Sequence, residues 1–380
     1  MKRRMISAIV AGALLAGAAQ AATATPSVGK IERVAAFHGA MPTGVTVSET
    51  GRIFINFPKW GDQVDYTVAE VRDGKTTPYP SAAFNQENAD PAAGLISVQS
   101  VVADGRGRLW ILDTAAPGFA VPKAGGAKLV AVDLNTDKVV KTVVFPADVI
   151  LPTTYVNDVR FDFRHGREGV AYVTDSSLTG PGGIIVLDLA SGKASRRLSG
   201  SKFTAAEAGF VPRVEGRIMA STTPDGKTRP FKVASDGIAL SPDGATLYFT
   251  ALSSRTLYAV PTALLRDPAV SEAALEKAVR NLGRKGASDG IEADAANAVY
   301  AGDYEHNAIR KLAPGGQWTT IAQGPDMLWP DTMSIGPDGY LYVVANQLHR
   351  QAGFNGGKDL RRQPYRLLRV KIGAAPAPTR

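Results

Sequence analysis

Ser235-Asp236-Gly237-Ile238-Ala239-Leu240-Ser241-Pro242-Asp243-Gly244-Ala245-Thr246-Leu247-Tyr248-Phe249-Thr250 reads as a strand, a tight turn and a second strand. Ile238 and Leu240 alternate with small residues, Pro242-Asp243-Gly244 makes the turn, and Leu247, Tyr248 and Phe249 favour a pleated surface. A polar residue, Asp236, stands just ahead of the first strand. The same phrase begins at Thr43, Gln99, Asn157, Asp289 and Asp331, at intervals of 56, 58, 79, 53 and 42 residues along the chain. Such spacing suits a unit of four short strands with loops. Third strands follow at 67–71, 129–134, 184–189, 257–260, 309–312 and 367–372, and fourth strands at 139–145 and 318–321.

Six four-stranded units closed around an axis predict an all-β, six-bladed β-propeller, a form that leaves only short strand edges. The sixth unit ends after its third strand, while a spare strand, Ile31–Phe37, precedes the first hairpin. Pairing of these two end segments therefore closes the ring. The propeller is expected to occupy 22–373 as one domain, and the Ala- and Pro-rich stretch 374–380 is expected to be disordered. Residues 262–282 break the β pattern near blade 4 and have helical spacing, with Ser271 as an N-cap. Residues 200–234 form the longest insertion, a length that often carries function.

Residues 1–21 have the pattern of a signal peptide. Lys2, Arg3 and Arg4 precede an apolar run of about 14 residues, short of the ~20 of a spanning helix, and Ala19-Gln20-Ala21 fits a small-x-small cleavage site. The mature chain is thus expected in the periplasm or outside the cell, without a membrane anchor and as a monomer. With 0 cysteines, disulfides, thiol catalysis and Cys-bound metals are excluded. The net charge is +8, or +5 without the three charges of the leader. No basic stripe with interleaved aromatics supports nucleic-acid binding. Gly-x-Ser-x-Gly, Walker and Rossmann signatures are absent, and His38, His165, His306 and His349 lack metal-ligand spacing.

In a propeller the residue preceding each innermost strand faces the central channel at one end. That geometry rings the channel mouth with Thr43, Gln99, Asn157, Asp236, Asp289 and Asp331. The second strands end at the same face, near Asn56, Asp113, Asp175, Ala251, Asp303 and Asn346. Clustered carboxylates are costly unless a cation or protons neutralise them. One reading places a divalent cation, Ca²⁺ best matching hard oxygen donors, on Asn157, Asp236 and Asp289, with Asp289 or Asp331 as base. A second reading needs no metal: the acidic channel and nearby aromatics hold an organic amine. In both, Gln99, Asp303, Tyr304, His306, Trp329 and Asn346 line the ligand site. The bland alternative makes the aspartates turn caps. That alternative is favoured for Asp113 and Asp175, and for Asp243 and Asp338 in the turns at the far face.

The phrases Arg52-Ile-Phe-Ile-Asn-Phe-Pro-Lys-Trp60, Tyr66-Thr-Val-Ala-Glu-Val71, Ser235 to Gly244, Leu252-Ser-Ser-Arg-Thr-Leu-Tyr258, Trp329-Pro-Asp-Thr-Met-Ser-Ile335 and Asn346-Gln-Leu-His-Arg350 resemble the yellow/major royal jelly protein family, whose bacterial members are often labelled dopachrome-tautomerase-related. The resemblance covers nearly all of the mature chain and implies a secreted six-bladed propeller. Its members include pigmentation factors, nutritive proteins and salivary amine binders. More distantly, the chain is similar to senescence-marker/gluconolactonase propellers, which hold a divalent metal at the channel mouth and open sugar lactones. Their metal pattern has Glu before blade 1, Asn before blades 3 and 4, and Asp before blade 5. Asn157 and Asp289 match it, Asp236 replaces the second Asn, and Thr43 replaces the Glu, which removes a charged ligand. The expected function is small-molecule handling at the channel mouth. It takes the form of metal-assisted lactone hydrolysis or a tautomerase-like proton transfer, of non-catalytic binding of an amine or aromatic ligand, or of partner docking by the propeller face.

Overall fold

A computed structural model describes residues 29–379, so the leader expected at 1–21 lies outside the described residues. Six antiparallel four-stranded sheets surround a central channel. The innermost strands are Gly44–Val47, Val98–Ala103, Val156–Asp162, Ser235–Leu240, Ile291–Ala293 and Pro330–Ile335. Each begins at what is called here the upper face and runs downward. The third and fourth strands lie within a residue or two of their expected positions, for example Lys128–Asp133, Lys138–Val144 and Trp318–Gln323.

Ring closure follows the expected route. Ile31–Phe37 pairs with Tyr365–Lys371, from Ile31 opposite Val370 to Phe37 opposite Tyr365, and completes blade 6. The apolar faces of neighbouring blades interlock. Trp110, Phe161, Val173 and Leu187 fill one such interface, and Tyr300, Met333, Val343 and Leu368 another. Burying side chains of this size stabilises by roughly 1.5–3 kcal/mol each.

The helical segment of blade 4 is shorter than expected. It comprises Thr262–Arg266 and Glu272–Ala278, and Ser271 accepts a cap bond from the Ala274 N–H at 3.3 Å. Residues 280–284 form the outer strand of the blade instead, pairing Thr256 with Arg284. Leu265 and Leu275 bury the helices against the blade at the lower face.

Residues 374–379 depart from the disordered tail expected of their composition. They cross the lower end of the channel. Ala375 O accepts from Ala295 N–H at 2.9 Å, Pro376 bridges Asp294, and Thr379 O accepts from Phe163 N–H at 2.8 Å. Thr379 Oγ1 donates to Asp104 O at 2.7 Å. Their backbone and the Thr379 hydroxyl are thus held by three blades at once, which composition cannot register.

The insertion covers the opposite end. Within it Arg213–Val214 pairs with Arg217–Ile218, and Ala220–Thr222 with Thr228–Pro230. Phe210, Val214, Met219, Phe231 and Val233 share one core with Tyr304, Trp329 and Leu348. The channel is therefore roofed above and strapped below.

Candidate functional site

Local backbone irregularities aim the site residues. In blades 3, 4 and 6 the ladder between first and second strands skips from Val156 to Val159, from Ser235 to Ile238 and from Pro330 to Met333. Each skip is a bulge, which bends the strand and re-aims a side chain. The residues freed are Asn157, Asp236 and Asp331. In blade 5, Asp289 stands two residues before the inner strand Ile291–Ala293. Glycine then lets the inner strands meet. A Cβ on Gly237 would lie 2.5 Å from Asp289 O, and one on Gly290 2.6 Å from Asp331 O. Each Asp-Gly pair thus brings the next blade's carboxylate alongside.

The outcome is a cluster of three carboxyl groups. Asp236 and Asp289 lie within hydrogen-bonding reach of each other, and Asp331 is close to both. All three are buried. Among the described residues none forms an ion pair with a basic side chain. Burial is the largest cause raising all three pKa values. Repulsion by Asp289 adds to it at Asp236, and repulsion by Asp289 and then Asp236 at Asp331. Asp289 is pushed up to about 6, with the Trp329 and Asp236 hydrogen bonds opposing its burial. Sharing protons is how such a cluster lowers its charge.

The other ring positions divide. Asn157 Nδ2 donates to Asp236 Oδ2 and, at 2.7 Å, to Ser176 Oγ. Gln99 Oε1 accepts from Tyr155 OH at 2.8 Å. Thr43 Oγ1 accepts from Asn56 Nδ2 at 2.9 Å. Asn346 Nδ2 donates to Asp331, and Trp329 Nε1 to Asp289 at 2.7 Å. Trp329 has a left-handed backbone, φ 55°, and stacks on Tyr304 at 4.0 Å between ring centroids. His349 also stacks on it, at 5.9 Å. Burial is the main cause lowering the His349 pKa, against Glu215, whose carboxylate lies 2.8 Å from Nε2.

Two expected site residues lie apart from the cluster. His306 is largely exposed and pairs through Nδ1 with Asp303 at 2.9 Å, so this pair forms a separate contact. Asp113 and Asp175 are bound by backbone N–H groups and by Lys128 and Arg196 respectively, each at 2.8 Å. The polar lining of the channel also extends further down than its mouth: Asp158, Arg160 and Glu292 lie below the cluster. Arg160 contacts Asp158 at 2.9 Å and Glu292 at 3.3 Å. They line a cavity of about 90 Å³ closed by Pro376–Thr379. Charged residues inside the inner strand Val156–Asp162 were the available signal, since a charge there must face the channel.

The donor set is oxygen-rich, as Ca²⁺ or Mg²⁺ requires. In the arrangement present, however, the oxygens are committed to hydrogen bonds and Asn157 turns its NH₂ toward Asp236. Among the described residues no group of three or more His, Cys, Asp or Glu is disposed to hold a metal ion. The residues as placed therefore do not form a cation cage.

The family model for major royal jelly protein matches residues 96–379. The chain belongs to the major royal jelly protein family. Protein yellow of Drosophila erecta is 26% identical over 252 residues, covering 61% of this chain and 43% of the relative. Protein yellow of Drosophila subobscura is 27% identical over 252 residues, covering 61% and 41%. This member thus spans less than half the length of these relatives. Among solved structures, a calcium-binding protein, regucalcin, from Agrobacterium tumefaciens superposes with TM-score 0.55 at 15% identity, covering 92% of this chain and 98% of that one. A gluconolactonase from Xanthomonas campestris gives 0.51 at 13% identity, covering 93% and 98%. At these identities the likeness is one of fold.

Proposed function

We propose that this royal-jelly-family propeller handles a small molecule outside the cytoplasm at the Asp236–Asp289–Asp331 cluster, and that the cluster works by proton transfer. One observation carries the reading: three adjacent carboxyl groups are buried without a basic partner among the described residues. A fold gains nothing in stability from that arrangement. With all three carboxyl groups raised by burial and mutual repulsion, and Asp289 pushed up to about 6, the cluster can hold a base beside a proton-bearing acid. Asp289 would remove a proton from one atom of a bound substrate while Asp236 or Asp331 returns one to another. Tautomerisation has that form. Lactone opening is served by the same base acting on a water. Trp329 orients Asp289 through its indole N–H, and the roof excludes solvent.

A keto–enol and lactone screen on the mature protein tests this reading. Turnover should rise as pH passes through about 6 and fall at least 100-fold in Asp289→Asn. Retained turnover in that variant removes Asp289 as the base.

A second reading is favoured by the packing of Trp329, Tyr304 and Phe231 above the cluster. An organic amine neutralises the carboxylates beneath this aromatic group, without turnover. It predicts saturable calorimetric binding of amines that weakens in Asp236→Asn.

A divalent cation is the remaining way to neutralise the cluster, and the neighbour regucalcin is described as calcium-binding. It would require Asn157 to turn its amide oxygen inward and Asp236 and Asp289 to give up their mutual hydrogen bond. Melting with EDTA and with Ca²⁺ separates the cases. An ion at 100 times its dissociation constant adds about 2.7 kcal/mol, whereas a proton-sharing cluster leaves the melt unchanged.

A further inference from the structure

The positive charge of the mature chain is concentrated on the roof. Residues 198–234 carry six basic and three acidic side chains, and residues 346–364 carry four and one. That surplus of six exceeds the five charges the chain retains without Lys2, Arg3 and Arg4. The remainder of the propeller is therefore close to neutral, and its deepest acids lie directly beneath this basic cover.

Between these two loops lies a concave pocket of about 780 Å³, within the range of small-ligand sites. Arg217, Arg350, Arg361 and Arg362 line it, against the carboxylates of Glu215 and Asp359. The four guanidinium groups fall into two kinds. Arg350 is fixed by both oxygens of Glu215. Arg361 is clamped on Asp62 at 2.8 and 2.7 Å and on Asp359. Arg217 and Arg362 are exposed and, among the described residues, have no ion pair or side-chain hydrogen bond. Two guanidinium groups are held in place and two are free to close on a ligand. His349 and Trp329 separate the pocket from the carboxyl cluster, so it is a distinct site.

We propose that this roof pocket binds the oxyanion groups of a small polyanion, carboxylate or phosphate, with Arg217 and Arg362 as the principal contacts. Planar guanidinium forks match both groups in two-point fashion, and like-charged arginines brought together are relieved by a bound anion.

The test is calorimetric titration of the mature protein with citrate and, separately, with inorganic phosphate at low salt. Binding of either is expected to weaken at least tenfold in the double variant R217A/R362A. It should change less than twofold in K227A/R229A, which removes two charges from the neighbouring hairpin outside the pocket. Tighter binding of citrate marks the natural ligand as a polycarboxylate, and tighter binding of phosphate as a phosphate ester. Equal weakening in both double variants would reduce the effect to general surface charge and overturn the proposal. So would the absence of saturable heat with both anions, or unchanged affinity in R217A/R362A. Both substitutions lie on exposed loops, and an unchanged melt confirms that each variant is folded.

Discussion

Two sets of buried aspartates stand at the upper face of the propeller and are treated in opposite ways. Asp113, at the end of the second strand of blade 2, accepts the N–H groups of Ile96, Ser97 and Ala115 at 2.7 to 3.0 Å and pairs with Lys128, itself fully buried. Asp175 in blade 3 accepts from Tyr155 N–H and Ser177 N–H at 2.8 and 3.1 Å and pairs with Arg196. Asp236, Asp289 and Asp331 receive only uncharged donors, the amides of Asn157 and Asn346, the hydroxyls of Ser176 and Thr332 and the Trp329 indole, and one another. Burial alone therefore says little about an aspartate's role. What separates the sets is whether the fold supplies a countercharge, and where it does not, protons or a ligand must.

The largest effect expected from this contrast is at the satisfied pair. Asp113→Asn leaves Lys128 buried without a counterion and should cost about 3–5 kcal/mol, read as a fall in the urea midpoint at constant slope. A loss below 1 kcal/mol would erase the distinction between the sets.

Asp289→Asn should act in the opposite direction. A carboxyl whose folded pKa, about 6, exceeds its unfolded value favours the fold when protonated. Its contribution is complete below about pH 4 and is lost as pH rises through 6. The variant should therefore be more stable than the parent at pH 7.5, by on the order of 1–3 kcal/mol, and its stability should vary less between pH 4.5 and 7. A lower melting temperature at pH 7.5 would mean that a cation holds this carboxylate in the charged form.

The smallest effect belongs to a third kind of aspartate. Asp243, in the lower turn of blade 4, only accepts from Ser241 Oγ at 2.6 Å and Ala245 N–H at 3.0 Å. Asp243→Ala should cost about 1 kcal/mol and leave turnover and ligand binding unchanged. Altered binding would extend the site to the wrong face.

Much of this was legible in the chain. Each hairpin declares itself within about 15 residues through period-two apolar alternation and turn residues. The spare strand Ile31–Phe37 and the missing fourth strand of blade 6 announced the closure seen between Ile31 and Val370. Asp236, Asp289 and Asp331 were identifiable as channel residues by their place before each inner strand. Less legible were the roof, the strap at 374–379 and the deeper group Asp158, Arg160 and Glu292. The roof strands are two or three residues long, too short for any period to emerge. The strap has no internal pattern, because its hydrogen-bond partners belong to blades 2, 3 and 5.

The sequence by itself thus determined the six blades, their order and the polar character of the ring, since strands and turns follow from neighbours along the chain. Only the tertiary structure decided which acids are neutralised and which are not. Lys128 reaches Asp113 across 15 positions and Arg196 reaches Asp175 across 21, while no basic side chain pairs with Asp236, Asp289 or Asp331 among the described residues. Charge balance in a buried site depends on distance and solvent exclusion, and both are set by packing between blades.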